Sequence, residues 1–213
     1  MNKKIAQLTL MLGLACSSLQ PVMAAPLLTT QLSAQQTIAP QANAWVEINL
    51  QAFEQNIQTL QQQLHDKSQI CAVMKADAYG HGIALLMPSI IKLNVPCVGI
   101  TSNAEAAVVR QSGYTGRILR LRAATDHEIQ NAASLHVEEL LGNFEQAQRL
   151  SQWATQKNLT LAYHLALNSG GMDRNGLDLQ MPEAKKQALA MTKLPHLKLV
   201  GIMSHYAVED QNY

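Results

Sequence analysis

Cys71-Ala72-Val73-Met74-Lys75-Ala76-Asp77-Ala78-Tyr79-Gly80-His81-Gly82 carries a short apolar run into a turn of small residues and glycines, with one lysine at the junction. Val73 and Met74 read as a short buried strand, and Gly80 and Gly82 as the backbone-permissive turn that follows it. A lysine at the carboxyl end of a buried strand stands where α/β barrels place their chemistry. Partial desolvation there would lower the pKa of its amine, giving a better nucleophile toward an aldehyde and a better base once released. The local pattern alone also suits a strand-end lysine whose ammonium snorkels to solvent.

Outward from this stretch the chain alternates strand and helix. Strands are predicted at 70–74, 97–100, 117–121, 137–141, 159–167 and 196–203, from short β-rich apolar runs. Helices fall between them. One covers 84–93, and two are opened by capping boxes, Ser102 with Glu105 and Thr125 with Glu128. Another starts at Asn143 and carries Phe144, Ala147, Leu150 and Ala154, and a last one covers 182–193. Upstream, 45–50 alternates as a strand does, and Phe53, Ile57, Leu60 and Leu64 recur at helical spacing. Six strands separated by helices predict a parallel α/β architecture, about six of the eight strands of a closed (β/α)8 barrel. A complete doubly wound open sheet is the alternative.

The unbroken string from Val73 to Gly82 closely resembles the cofactor-lysine signature of the alanine racemase family, pyridoxal-phosphate enzymes built from a barrel and a second β domain. The resemblance implies that Lys75 holds pyridoxal 5'-phosphate through its amine and that Tyr79 hydrogen-bonds the cofactor's phosphate. It also implies that the 45–50 strand pairs into the β domain, which would lie wholly beyond residue 213. The expected division is therefore a signal peptide at 1–24, a flexible arm at 25–43, a leading strand and helix at 44–66, and an incomplete cofactor-binding barrel at 67–213. The full-length protein is expected to be a homodimer. In the family a tyrosine of the partner subunit's β domain supplies the second acid, and the 213-residue chain by itself is expected not to racemise.

A second strand end, His164-Leu165-Ala166-Leu167-Asn168-Ser169-Gly170-Gly171-Met172-Asp173-Arg174-Asn175-Gly176, leads into a glycine-rich loop with one arginine. Read by itself it also fits an ordinary turn with a solvated arginine. In alanine racemases a similar loop brings an arginine to the cofactor's ring oxygen and the substrate region, and by that resemblance Arg174 takes the role. By the same resemblance the loop departs from the family's alanine-specific pattern. It is one residue longer, and Ala166 stands where many alanine racemases hold a carbamylated lysine. Asn168, Gly170, Gly171, Asn175, Arg120 and Arg122 instead look like the subgroup of periplasmic broad-specificity amino-acid racemases. Period-two counting puts Arg120 and Arg122 on one face of their strand, where a solvated charged strand end is an equally good reading. His205, directly after the last strand, resembles the family's strand-end histidine and is expected to stack on the pyridine ring. His81 and His164 are read as structural, and no Cys/His/Asp spacing suggests a metal site.

Composition narrows the partner. A formal charge of +1 gives no electrostatic reason to bind nucleic acid or a membrane surface, which leaves small molecules, here free amino acids. With 47% hydrophobic but only 4% aromatic residues, the core must be mostly Ala, Leu, Ile and Val. Lys3 and Lys4, an apolar stretch from Ile5 to Ala15 and Val22-Met23-Ala24 form an export signal, so the mature protein is expected in the periplasm with no membrane anchor. Cys71 and Cys97 remain after cleavage. At the starts of consecutive strands in an oxidising compartment they are a disulfide candidate, with two buried thiols as the alternative. Competing functions are an alanine-specific racemase, a fold-related decarboxylase of basic amino acids, a non-catalytic carrier of the same cofactor, and an exported solute-binding module that uses Lys75 and Arg174 only to grip a carboxylate.

Overall fold

The computed structural model describes residues 43–65, 67–168 and 175–205. The expected signal peptide and most of the arm lie outside the described residues, as do Gly170, Gly171 and Arg174. The chain divides into two units, Met1–Val46 and Glu47–Tyr213. Among the described residues, the helices and strands belong to the second.

Asn49 opens that unit by accepting the Ala52 N–H on its side-chain oxygen at 2.9 Å, and α1 runs Leu50–Leu64. The strand expected over 45–50 is therefore not formed. Its last residue is the first of a helix, and among the described residues no neighbouring strand runs beside 44–49 to complete a ladder. Alternation marks a chain suited to a sheet, but a strand exists only when its N–H and C=O groups find a partner.

Six strands follow: β1 Cys71–Val73, β2 Cys97–Ile100, β3 Arg117–Arg120, β4 Val137–Leu141, β5 Leu161–Ala166 and β6 Leu197–Met203. They lie side by side in sequence order, every pair parallel, and β1 does not pair with β6. Between them run α2 Lys75–Tyr79, α3 Ile83–Lys92, α4 Asn103–Gln111, α5 Asp126–Asn131, α6 Phe144–Lys157 and α7 Pro182–Met191. This is the partial barrel that the alternation predicted.

Both capping boxes form, Ser102 with Glu105 on α4 and Thr125 with Glu128 on α5. Asn143 caps α6 through Gln146 N–H at 2.7 Å, and Pro182 occupies the first turn of α7, where its missing N–H has no intrahelical role.

Alternation along each strand separates a helix-covered face from an interior face. On the covered face Val98, Ile100 and Ile118 pack against Ile83, Met87, Ile90, Ala106 and Val109 of α3 and α4, in one cluster that Ile57 of α1 joins. Leu141, Tyr163, Leu165 and Leu197 pack against Ala147, Leu150 and Ala154 of α6 and Met191 of α7 in a second. Each fully buried Ile or Leu contributes about 1.5–3 kcal/mol. Met74 belongs to the covered side and is 2% exposed. Val73 faces the other way and is 42% exposed, so the pair read as buried from its apolar character is buried only in its second member.

Cys71 and Cys97 are direct register partners on β1 and β2, and their sulfurs are bonded. The closed loop has a sequence separation of 26 residues. Loop-closure entropy assigns such a bond about 3.5 kcal/mol. It ties the strand that leads to Lys75 to its neighbour.

Candidate active site at the carboxyl ends of the strands

Lys75 sits two residues past the end of β1, half-buried, at the start of a turn with an unusual hand. Met74 is anchored first, its N–H donating to Gly99 O at 2.7 Å. The next residues Ala76, Asp77, Ala78 and Tyr79 then all have φ between 52° and 55°, and Gly80 follows at 84°. This is a full left-handed helical turn made mostly of residues with a Cβ. Each such residue costs about 1–2 kcal/mol relative to the right-handed form. The surroundings must impose it.

Hydrogen bonds within the turn and to its neighbours hold it. Ala78 N–H donates to Met74 O at 2.9 Å, Gly80 N–H to Ala76 O at 3.0 Å, and Gly82 N–H to Asp77 O at 2.9 Å. The Asp77 carboxylate accepts Ile83 N–H at 2.8 Å and so caps α3. His81 Nδ1 lies 2.8 Å from Ala78 O, in keeping with a structural histidine. Ala76 N–H donates to the carboxylate of Glu105 on α4 at 2.8 Å.

Glu105 is the hub of this corner. Its other oxygen accepts Thr101 N–H at 2.7 Å, Ser102 N–H at 3.0 Å and the Thr101 hydroxyl at 3.1 Å. Burial pushes its carboxyl up, and the four donors more than offset that, so the group ends below its ordinary value. From sequence, Glu105 is visible only as the third residue of a capping box. Its reach to the residue after Lys75 depends on β1 and β2 being neighbours.

The lysine amine lies 5.5 Å from the centroid of the Tyr79 ring, a cation–π contact, and Tyr79 itself is 61% exposed. Among the described residues no carboxylate lies within ion-pair reach of Lys75. An amine beside a phenol, with no carboxylate partner among the described residues, has the chemistry to react with an aldehyde.

The arginines of β3 do not join it. Arg120 is fully buried on the helix-covered face, its guanidinium bonded to Glu139 at 2.6 and 3.1 Å, Asn103 Oδ1 at 2.7 Å and Thr101 O at 3.2 Å. Arg122 lies beyond the strand end and pairs with Glu128 of α5. That bond holds the Glu128 carboxyl at about 2, against an ordinary 4.5. The expectation that the two share one strand face is corrected. β3 ends at Arg120, and each arginine takes a different carboxylate.

On the interior face, Arg117 donates to both oxygens of Glu138 at 2.8 Å, and Glu138 meets His164 Nε2 at 2.7 Å. A Cβ on Gly201 would stand 2.5 Å from His164 Nδ1, so this polar chain fills the space against β6. His164, read from the sequence as structural, is buried and bonded to Glu138.

After β5 the described chain resumes at Asn175. Leu177 N–H donates to Ala166 O at 2.9 Å, Asn168 N–H to Leu177 O at 3.1 Å, and Gly176 has φ 111° with its Cα against the backbone of Ala166 and Leu167. Only glycine fits there. Leu167 and Leu177 are thus bridged in parallel beside the end of β5, with Asn168 and Asn175 close to this bridge. His205 lies two residues past β6 and is exposed. Lys75, Asn168 and His205 share the carboxyl edge of the sheet. Among the described residues no group of His, Cys, Asp and Glu is arranged to hold a metal ion, and no helix is long and apolar enough to cross a membrane.

A parallel α/β barrel segment with a lysine just past its first strand, without a carboxylate partner among the described residues, defines the class. The chain belongs to the alanine racemase N-terminal domain family, whose model matches residues 48–213. Among curated proteins it is 50% identical over 203 residues to a broad specificity amino-acid racemase of Pseudomonas taetrolens, covering 95% of this chain and 49% of that protein. It is 43% identical over 208 residues to a lysine racemase of Proteus mirabilis, covering 98% of this chain and 50% of that one. Among solved structures it resembles an alanine racemase of Clostridium difficile 630 in complex with cycloserine. There the TM-score is 0.72 at 28% identity, over 79% of this chain and 46% of that one. The chain therefore spans about half the length of the curated relatives it matches.

Proposed function

We propose that this chain is the cofactor-lysine portion of an exported, pyridoxal-phosphate-dependent racemase of free amino acids with broad specificity, acting in the periplasm as a homodimer. One observation carries the reading: a half-buried lysine without a carboxylate partner among the described residues, at the carboxyl end of β1, on a turn whose backbone conformation is costly to maintain.

Lys75 and Tyr79 fit pyridoxal phosphate, with His205 and Arg174 as the further contacts the family resemblance assigns. The cofactor, when bound, supplies the electron sink for the pair left behind when a Cα–H bond breaks. The protein supplies everything else. Lys75 Nζ takes the α-proton from one face of the substrate and returns it to the same face. Tyr79, beside Lys75, would hold the cofactor's phosphate end. Arg174 would hold the cofactor's ring end and the substrate's carboxylate, and His205 would pack against the ring, as the family resemblance assigns. Asn168, Gly170, Gly171 and Asn175 are the residues by which the chain resembles the broad-specificity subgroup. Inversion requires a second acid on the opposite face, a tyrosine from the β domain of a partner subunit. Free amino acids of mixed side chain are the substrates that the 50% likeness to a broad specificity racemase favours.

Proton exchange tests this reading without requiring inversion. In heavy water with pyridoxal phosphate, the protein should exchange the Cα–H of one enantiomer of several free amino acids, and Lys75→Ala should abolish it. Exchange that survives in Lys75→Ala contradicts the assignment of the base.

A further inference from the structure

The turn after Lys75 is not self-supporting. Four consecutive non-glycine residues wind left-handed from Ala76 to Tyr79, and their internal hydrogen bonds tie the turn to itself and to α3. Glu105 is different, because it joins the turn to another part of the sheet. One carboxylate oxygen accepts Ala76 N–H at 2.8 Å, while the other accepts Thr101 N–H, Thr101 Oγ1 and Ser102 N–H at the end of β2. The peptide unit that takes this bond is the one linking Lys75 to Ala76. Its orientation fixes the direction in which the Lys75 side chain leaves the backbone.

The corner is held from behind as well. Thr101 O accepts Arg120 Nη1 at 3.2 Å, and Arg120 is fully buried against Glu139 and Asn103. The segment carrying Glu105's other partners is therefore anchored in the core. We infer that Glu105 is the positioning residue for Lys75, fixing the left-handed turn through Ala76 N–H and so setting the place and reactivity of the amine. The inference rests on Lys75 being the reacting group.

Two roles of Glu105 must be separated. As the third residue of a capping box it stabilises α4, and any change to it loosens that helix. Ser102 supplies the control. Ser102→Ala removes the hydroxyl that accepts Glu105 N–H at 3.2 Å, breaking the same cap, but leaves the carboxylate and its bond to Ala76 in place.

The experiment is site-resolved labelling of the full chain, read by peptide mass spectrometry. Pyridoxal phosphate followed by borohydride reports adduct formation at each lysine. Trace acetic anhydride across a range of pH reports amine reactivity without the cofactor, with the exposed Lys157 as internal reference. Glu105→Ala should slow labelling of Lys75 by both reagents about tenfold, the scale set by losing a charge-assisted hydrogen bond. Ser102→Ala should leave Lys75 within about twofold of the parent while losing helix stability comparably. If Glu105→Ala does not fold, Glu105→Gln carries the same test, since it keeps the bulk and exchanges one acceptor oxygen for a donor. Equal Lys75 labelling in the parent and the Glu105 variant, or an equal loss in Ser102→Ala, overturns the inference. Failure of the unaltered protein to label at Lys75 with pyridoxal phosphate, while acetic anhydride still separates the variants, counts against the cofactor reading and leaves the positioning role standing.

Discussion

Strands β3 and β4 carry two arginine–glutamate pairs a few residues apart, and the pairs face opposite sides of the sheet. Arg117 and Glu138 meet on the interior face, with His164 as a third member and the arginine side chain 45% exposed. Arg120 and Glu139 meet on the helix-covered face, 0% and 3% exposed. The residue types are the same and the strands are the same, so the difference lies in the surroundings. Water still reaches the interior pair and screens it. The covered pair is shielded from water, with Asn103 Oδ1 and Thr101 O completing the arginine's bonds while Arg122 and Glu128 also act on Glu139. Burial pushes the Glu139 carboxyl up, and Arg120 pulls it back only in part. For Glu138 burial also pushes up, but Arg117 and His164 more than offset it, and the group ends low. A buried ion pair is a constraint whose loss is severe, whereas a wet one is replaceable.

That contrast can be broken most directly at the covered pair. Arg120→Met strands the Glu139 carboxylate in the core and should cost about 3–5 kcal/mol in a urea titration. A cost below about 1 kcal/mol would mean that water reaches Glu139. Tyr163, on the same covered face, has a buried hydroxyl with no hydrogen-bond partner among the described residues. Tyr163→Phe should stabilise by about 1 kcal/mol, raising the thermal midpoint by a few degrees. Destabilisation would reveal a partner for the hydroxyl. Arg117→Met on the interior side should cost at most about 1 kcal/mol, because His164 and water remain to Glu138.

The smallest effect is one of pH. Arg122 holds Glu128 at about 2 from an ordinary 4.5, so the group's contribution is fully present above 4.5 and disappears as pH falls toward 2. The stability difference between the parent and Glu128→Gln should be flat at neutral pH and shrink across that acid range. A difference that persists at pH 2 would show that the carboxylate's charge is not what matters.

The same strands show how much of the fold the residues disclose. All six strands and the caps at Ser102, Thr125 and Asn143 were legible, because each depends on neighbours within a few positions. So was the Cys71–Cys97 bond, since consecutive parallel strands bring their starts together. Legibility ended where a feature depends on what packs beside it. Period-two counting gives strand faces but not which face the helices cover, and so Arg120 was read toward a shared charged face when it lies in the core. Residues 45–50 alternate, yet alternation cannot supply a neighbouring strand. Lys75 was legible as a strand-end lysine. The left-handed turn behind it was not, because Ala76, Asp77 and Ala78 carry no preference for that conformation, and Glu105, 29 positions away from Ala76, helps to impose it.

The account stands on Lys75. The direct measurement is peptide mapping of the protein after pyridoxal phosphate and borohydride. The account predicts a reduced adduct concentrated on Lys75, accompanied before reduction by a visible absorbance band that Lys75→Ala lacks. An adduct spread evenly over the other lysines, with Lys75 no more labelled than Lys92 or Lys157, would contradict it.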